Sequence, residues 1–323
     1  MASESRLIVI GASVGGFDAL KAILSQLDAN FPLPIMVVVH IGVHESILPE
    51  LLGAHTGLCV RHAVDGEAIL PGTVYAAPPD HHLLVNGRRA QLTRGPKENF
   101  ARPAVDPLFR SAALAYGRHV IGVILSGNLD DGTVGLQAVK AYGGMGIVQE
   151  PSTATAASMP ASALQHVKVD HVLPAKDIGA MLLTLAEQPS PTETPDDPPP
   201  GIALESQFQT NEESDMDEMG ALGRPSGLTC PECGGALWEL HARPPQRFRC
   251  HVGHAYTATA LDVAHQERVE ESIWAAVRAL HEKEALLRRF ALATTDQLRR
   301  QEHHASADMA KHHAEQLRRI IST

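Results

Sequence analysis

The sequence predicts a doubly wound α/β domain built on a mostly parallel sheet, and three observations carry the prediction. Apolar runs of strand length recur through the first 187 residues: LIVIG, IMVVVH, VYAAP, VIGVILSG and GMGIVQ. They are apolar throughout rather than alternating, as strands covered on both faces must be. Between them lie stretches with helical spacing, FDALKAILSQL, DPLFRSAALAYG and GTVGLQAVKAYG, and helices interleaved with buried strands cover an open parallel sheet.

Taken in order, the first run ends in Gly11, Ala12, Ser13, Val14 and Gly15, a G-x-S-x-G pattern where a strand turns into a helix. The second run closes on His40, and VIGVIL leads into SGNLDDG, which carries Asp130 and Asp131 ahead of the helix GTVGLQAVK. Open α/β sheets meet their ligands at the C-terminal ends of the strands. Ser13, His40 and Asp131 therefore project from one edge and offer a nucleophile, a base and an orienting carboxylate. A serine hydroxyl needs the base because it is protonated at neutral pH, and the aspartate fixes the ring tautomer and steadies the imidazolium. Backbone N–H groups at Val14 and Asn128 are the candidate oxyanion donors.

Taken singly, Ser13 reads as a small turn residue, His40 as a strand-end histidine and Asp131 as a helix cap. Together, at three strand ends, they read as catalysis. A dinucleotide site would need G-x-G-x-x-G and an acid ending the second strand; here Ser13 replaces the second glycine and His40 stands at the strand end. The α/β-hydrolase order of serine, acid, histidine does not fit either.

The formal charge of the 323-residue chain is −10, and residues 188–226 hold nine acids and one arginine. That segment, opening QPSPTETPDDPPPG, combines proline and acid with few large apolar residues, so it predicts a disordered tether. The net charge therefore gives no sign of a nucleic-acid partner. The N-terminal apolar run is too short for a signal core or a membrane span, which places the chain in the cytoplasm with no direct membrane insertion.

Three of four cysteines cluster beyond the tether. Residues 227–256 place Cys230 and Cys233 in a C-x-x-C knuckle, then Cys250 and His254. That set fits a closed tetrahedral structural Zn2+ site in a zinc ribbon, with His254 preferred over His251 and His241. Such a short segment has little core, and a metal would supply its folding energy. Cys59, in LCVRH, reads as a buried strand thiol. Residues 257–323 form a helical tail: apolar residues at Leu261, Val269, Ile273, Ala276, Leu280, Leu287 and Phe290 recur at helical spacing. Asp296 offers an N-cap for a second helix through Leu298, Met309, Leu317 and Ile320.

The stretches LIVIGASVGGFDALKAIL, VVVHI, DGEAILPGTVYAAPPDHHL, ARPAVDPLFRSAA and GVILSGNLDDGTVGL, in that order, resemble the catalytic domain of the chemotaxis protein-glutamate methylesterases, the CheB family. The resemblance covers about residues 5–187. It implies that Ser13 is the nucleophile, His40 the base and Asp131 the third member, chosen over Asp130 because the following glycine keeps the family register. It implies hydrolysis of glutamate γ-methyl esters on the cytoplasmic domains of methylated chemoreceptors, with glutamine deamidation in some members, and no cofactor for catalysis. Arg102, in ARPAVDP, is a candidate contact to an acidic receptor surface. Val14 stands where family members commonly have threonine. Family members usually begin with a receiver domain that regulates the esterase; here the resemblance starts at about residue 5, so phosphorylation control in cis is not expected, and control by the C-terminal part is expected instead. A binding scaffold without catalysis and an esterase for another acyl substrate stay open, as does the oligomeric state.

Overall fold

The computed structural model describes residues 6–42, 44–188, 201–210, 216–241 and 244–321. It divides into two compact units, Met1–Leu261 and Asp262–Thr323.

The first unit opens with β1 (Leu7–Ala12), α1 (Gly16–Leu24), β2 (Ile35–Val39), α2 (Leu48–Gly53), β3 (Cys59–His62) and β4 (Thr73–Ala76). A hairpin, β5 (His82–Asn86) and β6 (Arg89–Thr93), leads to α3 (Val105–Tyr116) and β7 (Val120–Ile124). Then follow α4 (Thr133–Ala141), β8 (Met145–Gln149), α5 (Ser158–His166), β9 (His171–Leu173) and α6 (Ala175–Glu187). Seven strands form one parallel sheet in the order β3-β4-β2-β1-β7-β8-β9. The α/β class and the parallel sheet are those the apolar runs predict.

The runs are apolar at every position because both faces are covered. Leu7 and Val9 of β1 join Leu108, Phe109 and Leu136 on one side, while Ile8 and Ile10 join Leu20, Ile23, Ile178 and Leu182 on the other. Alternation along the strand sends neighbours to opposite cores. The strand order reverses at β1: β2 lies on one side of it and β7 on the other. The crevice at such a reversal is where open α/β sheets take ligands.

Three expectations need correction. Cys59 lies on a strand but is exposed, because β3 is the edge of the sheet. The expected tether is helical at α7 (Gly201–Gln207) and α8 (Met216–Leu222), while residues 189–200 and 211–215 lie outside the described residues. Its acid Glu205 is buried because Arg247 donates to both carboxylate oxygens, at 2.7 and 2.8 Å. A composition that reads as solvated thus finds buried cationic partners elsewhere in the chain. The third correction concerns the cysteine-bearing module, which belongs to the same compact unit as the parallel sheet. It is an antiparallel sheet of β10 (Gly223–Thr229), β11 (Ala236–Leu240), β12 (Arg247–Cys250) and β13 (Ala255–Thr257), paired in that order.

Two helices, α9 (Ala258–Ala293) and α10 (Gln297–Ile321), complete the chain. In the second unit Asp296 Oδ1 accepts the N–H groups of Leu298 at 2.9 Å and Arg299 at 3.3 Å, capping α10. Small residues, Ala291, Ala307, Ala310 and Ala314, are buried with Val277, while Val269, Phe290, Met309 and Ile320 are exposed. No helix among the described residues is long and apolar enough to cross a membrane.

Candidate active site

Ser13 follows β1 directly and is half-buried. Its N–H donates to the Ser126 carbonyl at 2.9 Å, which ties the β1 turn to the loop after β7. Gly15, the N-cap of α1, has φ 76°, and a Cβ there would sit 2.5 Å from Thr155 Cβ, so only glycine fits. Gly127 must be bare as well: its Cβ would stand 2.8 Å from that of Ser13. Ser126 Oγ donates to the Val14 carbonyl at 2.6 Å and accepts the Ala156 N–H at 2.9 Å.

The register pairs Ala12 with Val39, so His40 lies beside Ser13 at the end of the neighbouring strand. His40 Nε2 is 2.7 Å from Asp131 Oδ2. The carboxylate accepts, so Nε2 carries the proton and Nδ1 is the basic nitrogen. No hydrogen bond between Ser13 Oγ and His40 is formed among the described residues; such contacts often tighten only with substrate bound.

Asp131 is buried. Burial alone would raise its pKa, but the hydrogen bond and charge of His40, with the N–H groups of Val105 and Asp106, hold it below the usual carboxylate range. Those two N–H groups lie 2.7 and 3.1 Å from its oxygens. They open α3, whose N-terminus favours negative charge.

Asp106 is the residue sequence reasoning missed. Its Oδ1 accepts the N–H groups of Gly132 at 2.9 Å and Gly135 at 2.6 Å, so it stitches α3 to the start of α4. Burial, then the nearby charges of Asp131 and Glu98, push its carboxyl well above the usual range. Two buried carboxylates this close do not both ionise, and Asp131, with the histidine, keeps the charge. The sequence signal was an aspartate ahead of proline at a helix start, AVDP.

Asp130 turns away to a different partner. Its Oδ1 accepts the Thr257 hydroxyl at 2.7 Å, and burial raises its pKa. Val14 is half exposed, at 50 %, and Asn128 is also exposed. Neither backbone N–H has a backbone acceptor among the described residues, so both are available at the crevice. Arg102 requires correction as a receptor contact. Its Nε and Nη2 donate to Asp80 Oδ1 at 2.9 and 2.6 Å, and Nη1 donates to the Arg94 and Gly95 carbonyls. A guanidinium so engaged holds the 80–95 region together and has little left for an external carboxylate.

A second constellation lies in the four-stranded sheet. Cys230, Cys233, Cys250 and His254 bring one ligand atom each to within 4.8 Å of one another, and the cluster includes neither His251 nor His241. Cys233 Sγ and Cys250 Sγ are 3.7 Å apart, and His254 Nδ1 lies 3.8 and 3.6 Å from Cys230 and Cys250. A tetrahedral Zn2+ with Zn–S of about 2.3 Å has edges of about 3.8 Å, so the donor set fits that ion. His254 Nε2 lies 3.4 Å from Glu232, the carboxylate that orients a ligating imidazole. Hydrogen bonds from Cys250, His254 and Tyr256 favour Cys230 as thiolate.

The sequence model described as CheB methylesterase matches residues 8–182. A Paramagnetospirillum magneticum protein-glutamate methylesterase/protein-glutamine glutaminase is 40% identical over 186 residues, covering 56% of this chain and 49% of that protein. A Thermotoga maritima relative of the same description is 39% identical over 190 residues, 57% of this chain and 55% of that protein. The chain thus spans about half the length of these two. A Leptospira interrogans relative with the same two activities in its name is 40% identical over 184 residues and is covered over 93% of its length. The crystal structure of the Thermotoga maritima CheB methylesterase catalytic domain superposes with a TM-score of 0.54 at 39% identity, covering 56% of this chain and 98% of that one.

Proposed function

The chain belongs to the CheB methylesterase family and is an enzyme of the protein-glutamate methylesterase kind; on that premise we propose that Ser13, His40 and Asp131 form its catalytic triad. The observation that carries the proposal is the 2.7 Å contact of His40 Nε2 with Asp131 Oδ2, made from the strands on either side of the one that bears Ser13.

Ser13 Oγ attacks the ester carbonyl of a glutamate γ-methyl ester and passes its proton to His40 Nδ1, while Asp131 steadies the imidazolium. The oxyanion is received by the N–H groups of Val14 and Asn128. Collapse breaks the C–O bond, His40 returns the proton to the leaving methoxide, and methanol departs. Water activated by His40 then cleaves the acyl-serine and restores the carboxylate. With glutamine the leaving group is ammonia and the steps are otherwise the same. None of these steps draws on a cofactor.

The substrate is the methylated cytoplasmic domain of a chemoreceptor, which places the enzyme in the cytoplasm. A half-buried serine beside a histidine with 21% of its side chain exposed suits a side chain presented by another protein. Residues 1–187 supply this chemistry. Cys230, Cys233, Cys250 and His254 hold a structural Zn2+, which would tie β10–β11 to β12–β13 and take no part in the reaction.

The test is methanol release from methyl-labelled receptor cytoplasmic fragments. The full chain should release it, and Ser13→Ala should lower the rate by about 10⁴-fold or more. Release that survives Ser13→Ala would overturn the triad. No release by the wild type, with another ester hydrolysed in a Ser13-dependent way, would move the substrate; no hydrolysis at all would favour a binding scaffold. One zinc per purified chain, lost in Cys230→Ser, would establish the metal site.

A further inference from the structure

β13 of the metal-binding sheet runs beside residues 97–101 of the parallel-sheet region. The Ala255 N–H donates to the Lys97 carbonyl at 3.3 Å, and the Asn99 N–H donates to the Ala255 carbonyl at 2.8 Å. Asn99 then divides its side chain between the two regions. Its Oδ1 accepts the Thr257 N–H at 3.0 Å, and its Nδ2 donates to Asp131 Oδ1 at 3.4 Å and to Asp106 Oδ2 at 3.3 Å. Thr257 Oγ1 donates to Asp130, next to Asp131, and accepts the Ala260 N–H at 3.1 Å.

The segment is held in a conformation it would not choose. Asn99 and Phe100 have φ of 49° and 65°, a region that asparagine tolerates and phenylalanine does not. The Phe100 ring packs on Tyr256, with centroids 5.2 Å apart, and the Tyr256 hydroxyl lies 3.5 Å from Cys230 Sγ. One residue earlier, Glu98 accepts from Arg249 at 2.8 Å, Arg110 at 2.6 Å and Gln209 at 2.7 Å, all buried. Strained backbone persists where its surroundings over-determine it, and the cysteine-bearing module supplies Arg249, Ala255, Tyr256 and Thr257 to the surroundings of residues 98–100.

We infer that Asn99 is a positioning residue for Asp131, and that Thr257 and the metal-binding module behind it hold Asn99 in place, so that the C-terminal module sets the turnover of the esterase. This rests on the reading of Ser13, His40 and Asp131 as the triad. Asn99 shares with the Asp106 N–H the oxygen of Asp131 that does not face His40, and its carboxamide is the side-chain part of what holds the carboxylate against rotation. A carboxylate free to rotate leaves the imidazole without its orienting partner, and losses of this kind fall on kcat rather than KM.

The experiment uses the full chain with Asn99→Gly, which tolerates the left-handed backbone but removes the carboxamide, and with Thr257→Val and Thr257→Ser. The readouts are kcat and KM for methyl-ester hydrolysis, the rate of labelling of Ser13 by a fluorophosphonate, and the melting temperature. Asn99→Gly and Thr257→Val should each lower kcat and the labelling rate about tenfold with KM held within about twofold. Thr257→Ser should restore both. The double variant should be no slower than Asn99→Gly alone, because the two act on one path. Folded variants with wild-type kcat, or losses that multiply in the double variant, would overturn the inference and leave the triad standing. If Thr257→Val fails to fold, Asn99→Gly decides. A wild type whose labelling does not depend on Ser13 would overturn both readings.

Discussion

In the seven-stranded sheet position is set by burial: β1, β2 and β7 are buried at every residue, and two apolar clusters cover the faces. The four-stranded sheet has two far smaller clusters, one built on Leu237, Phe248, Tyr256 and Leu261 with two of the cysteines, the other on Trp238 and Leu240 with Phe208, Met219 and Leu222. Directional contacts carry a larger share here: the cysteine and histidine cluster and the arginines that reach Glu98 and Glu205. Apolar burial is non-directional and tolerates exchange of one hydrophobe for another. Ligand and ion-pair geometry fails when a single partner is lost. Ser13 and His40 stand on the first kind of support, while the loop that touches Asp131 leans on the second.

The strongest break of this contrast is Cys230→Ser. Metal binding contributes about 10 kcal/mol or more to the folding of small zinc modules, so β10–β13 should lose hydrogen-exchange protection while β1, β2 and β7 keep theirs. Equal loss in both sheets would show that the two regions fold as one. Next is Glu98→Gln, which strips one of two buried acidic partners from Arg110 and Arg249 and should cost about 3–5 kcal/mol in denaturant unfolding. A cost below about 1 kcal/mol would mean that burial and not charge holds the module.

A smaller effect separates the regions by pH. His82 is fully buried, its Nε2–H donating to the Pro96 carbonyl and its Nδ1 accepting the Ala104 N–H, and burial lowers its pKa from 6.5 to about 4. Below about pH 6.5 the unfolded chain binds a proton that the folded chain refuses, so stability is full above that pH and falls as pH drops toward 4. Between pH 6.5 and 5 the loss should be about 2 kcal/mol, and His82→Gln should remove that slope. A slope unchanged in the variant would assign it to other groups. The carboxylate part lies lower: Glu205, where burial is outweighed by Arg247 and its neighbours, is held at about 2. Its contribution is present above about pH 4.5 and is lost as pH falls toward 2. The smallest effect belongs to Arg102→Ala, which should cost about 1 kcal/mol of stability and leave KM for a methylated receptor fragment unchanged. A raised KM with unchanged melting would restore Arg102 as a receptor contact.

Much of the site was legible because strand ends are legible. Uninterrupted apolar runs mark where β1, β2 and β7 stop, and Ser13, His40 and Asp131 are the polar residues within or just beyond those stops. The hairpin β5–β6 carried its own signal, Gly87 after the apolar run HLLVN, where Asn86 pairs with Arg89 and leaves the two-residue loop Gly87-Arg88, and went unread. Asp106 showed only as a helix-start aspartate and Asn99 not at all, since their roles depend on partners 25 and more residues away. Residues 201–210 misled because composition reports what a segment could bury alone and not which arginines lie elsewhere to meet Glu205.

The sequence by itself determined the α/β class, the serine and histidine at adjacent strand ends, and the Cys230, Cys233, Cys250 and His254 spacing, because each is written in local periodicity or short-range separation. Only the tertiary structure decided that Asp130 turns to Thr257, that Arg102 is taken by Asp80, and that Asn99 reaches Asp131. Those outcomes turn on hydrogen-bond geometry between segments far apart in the chain, where a shift of an ångström changes the partner.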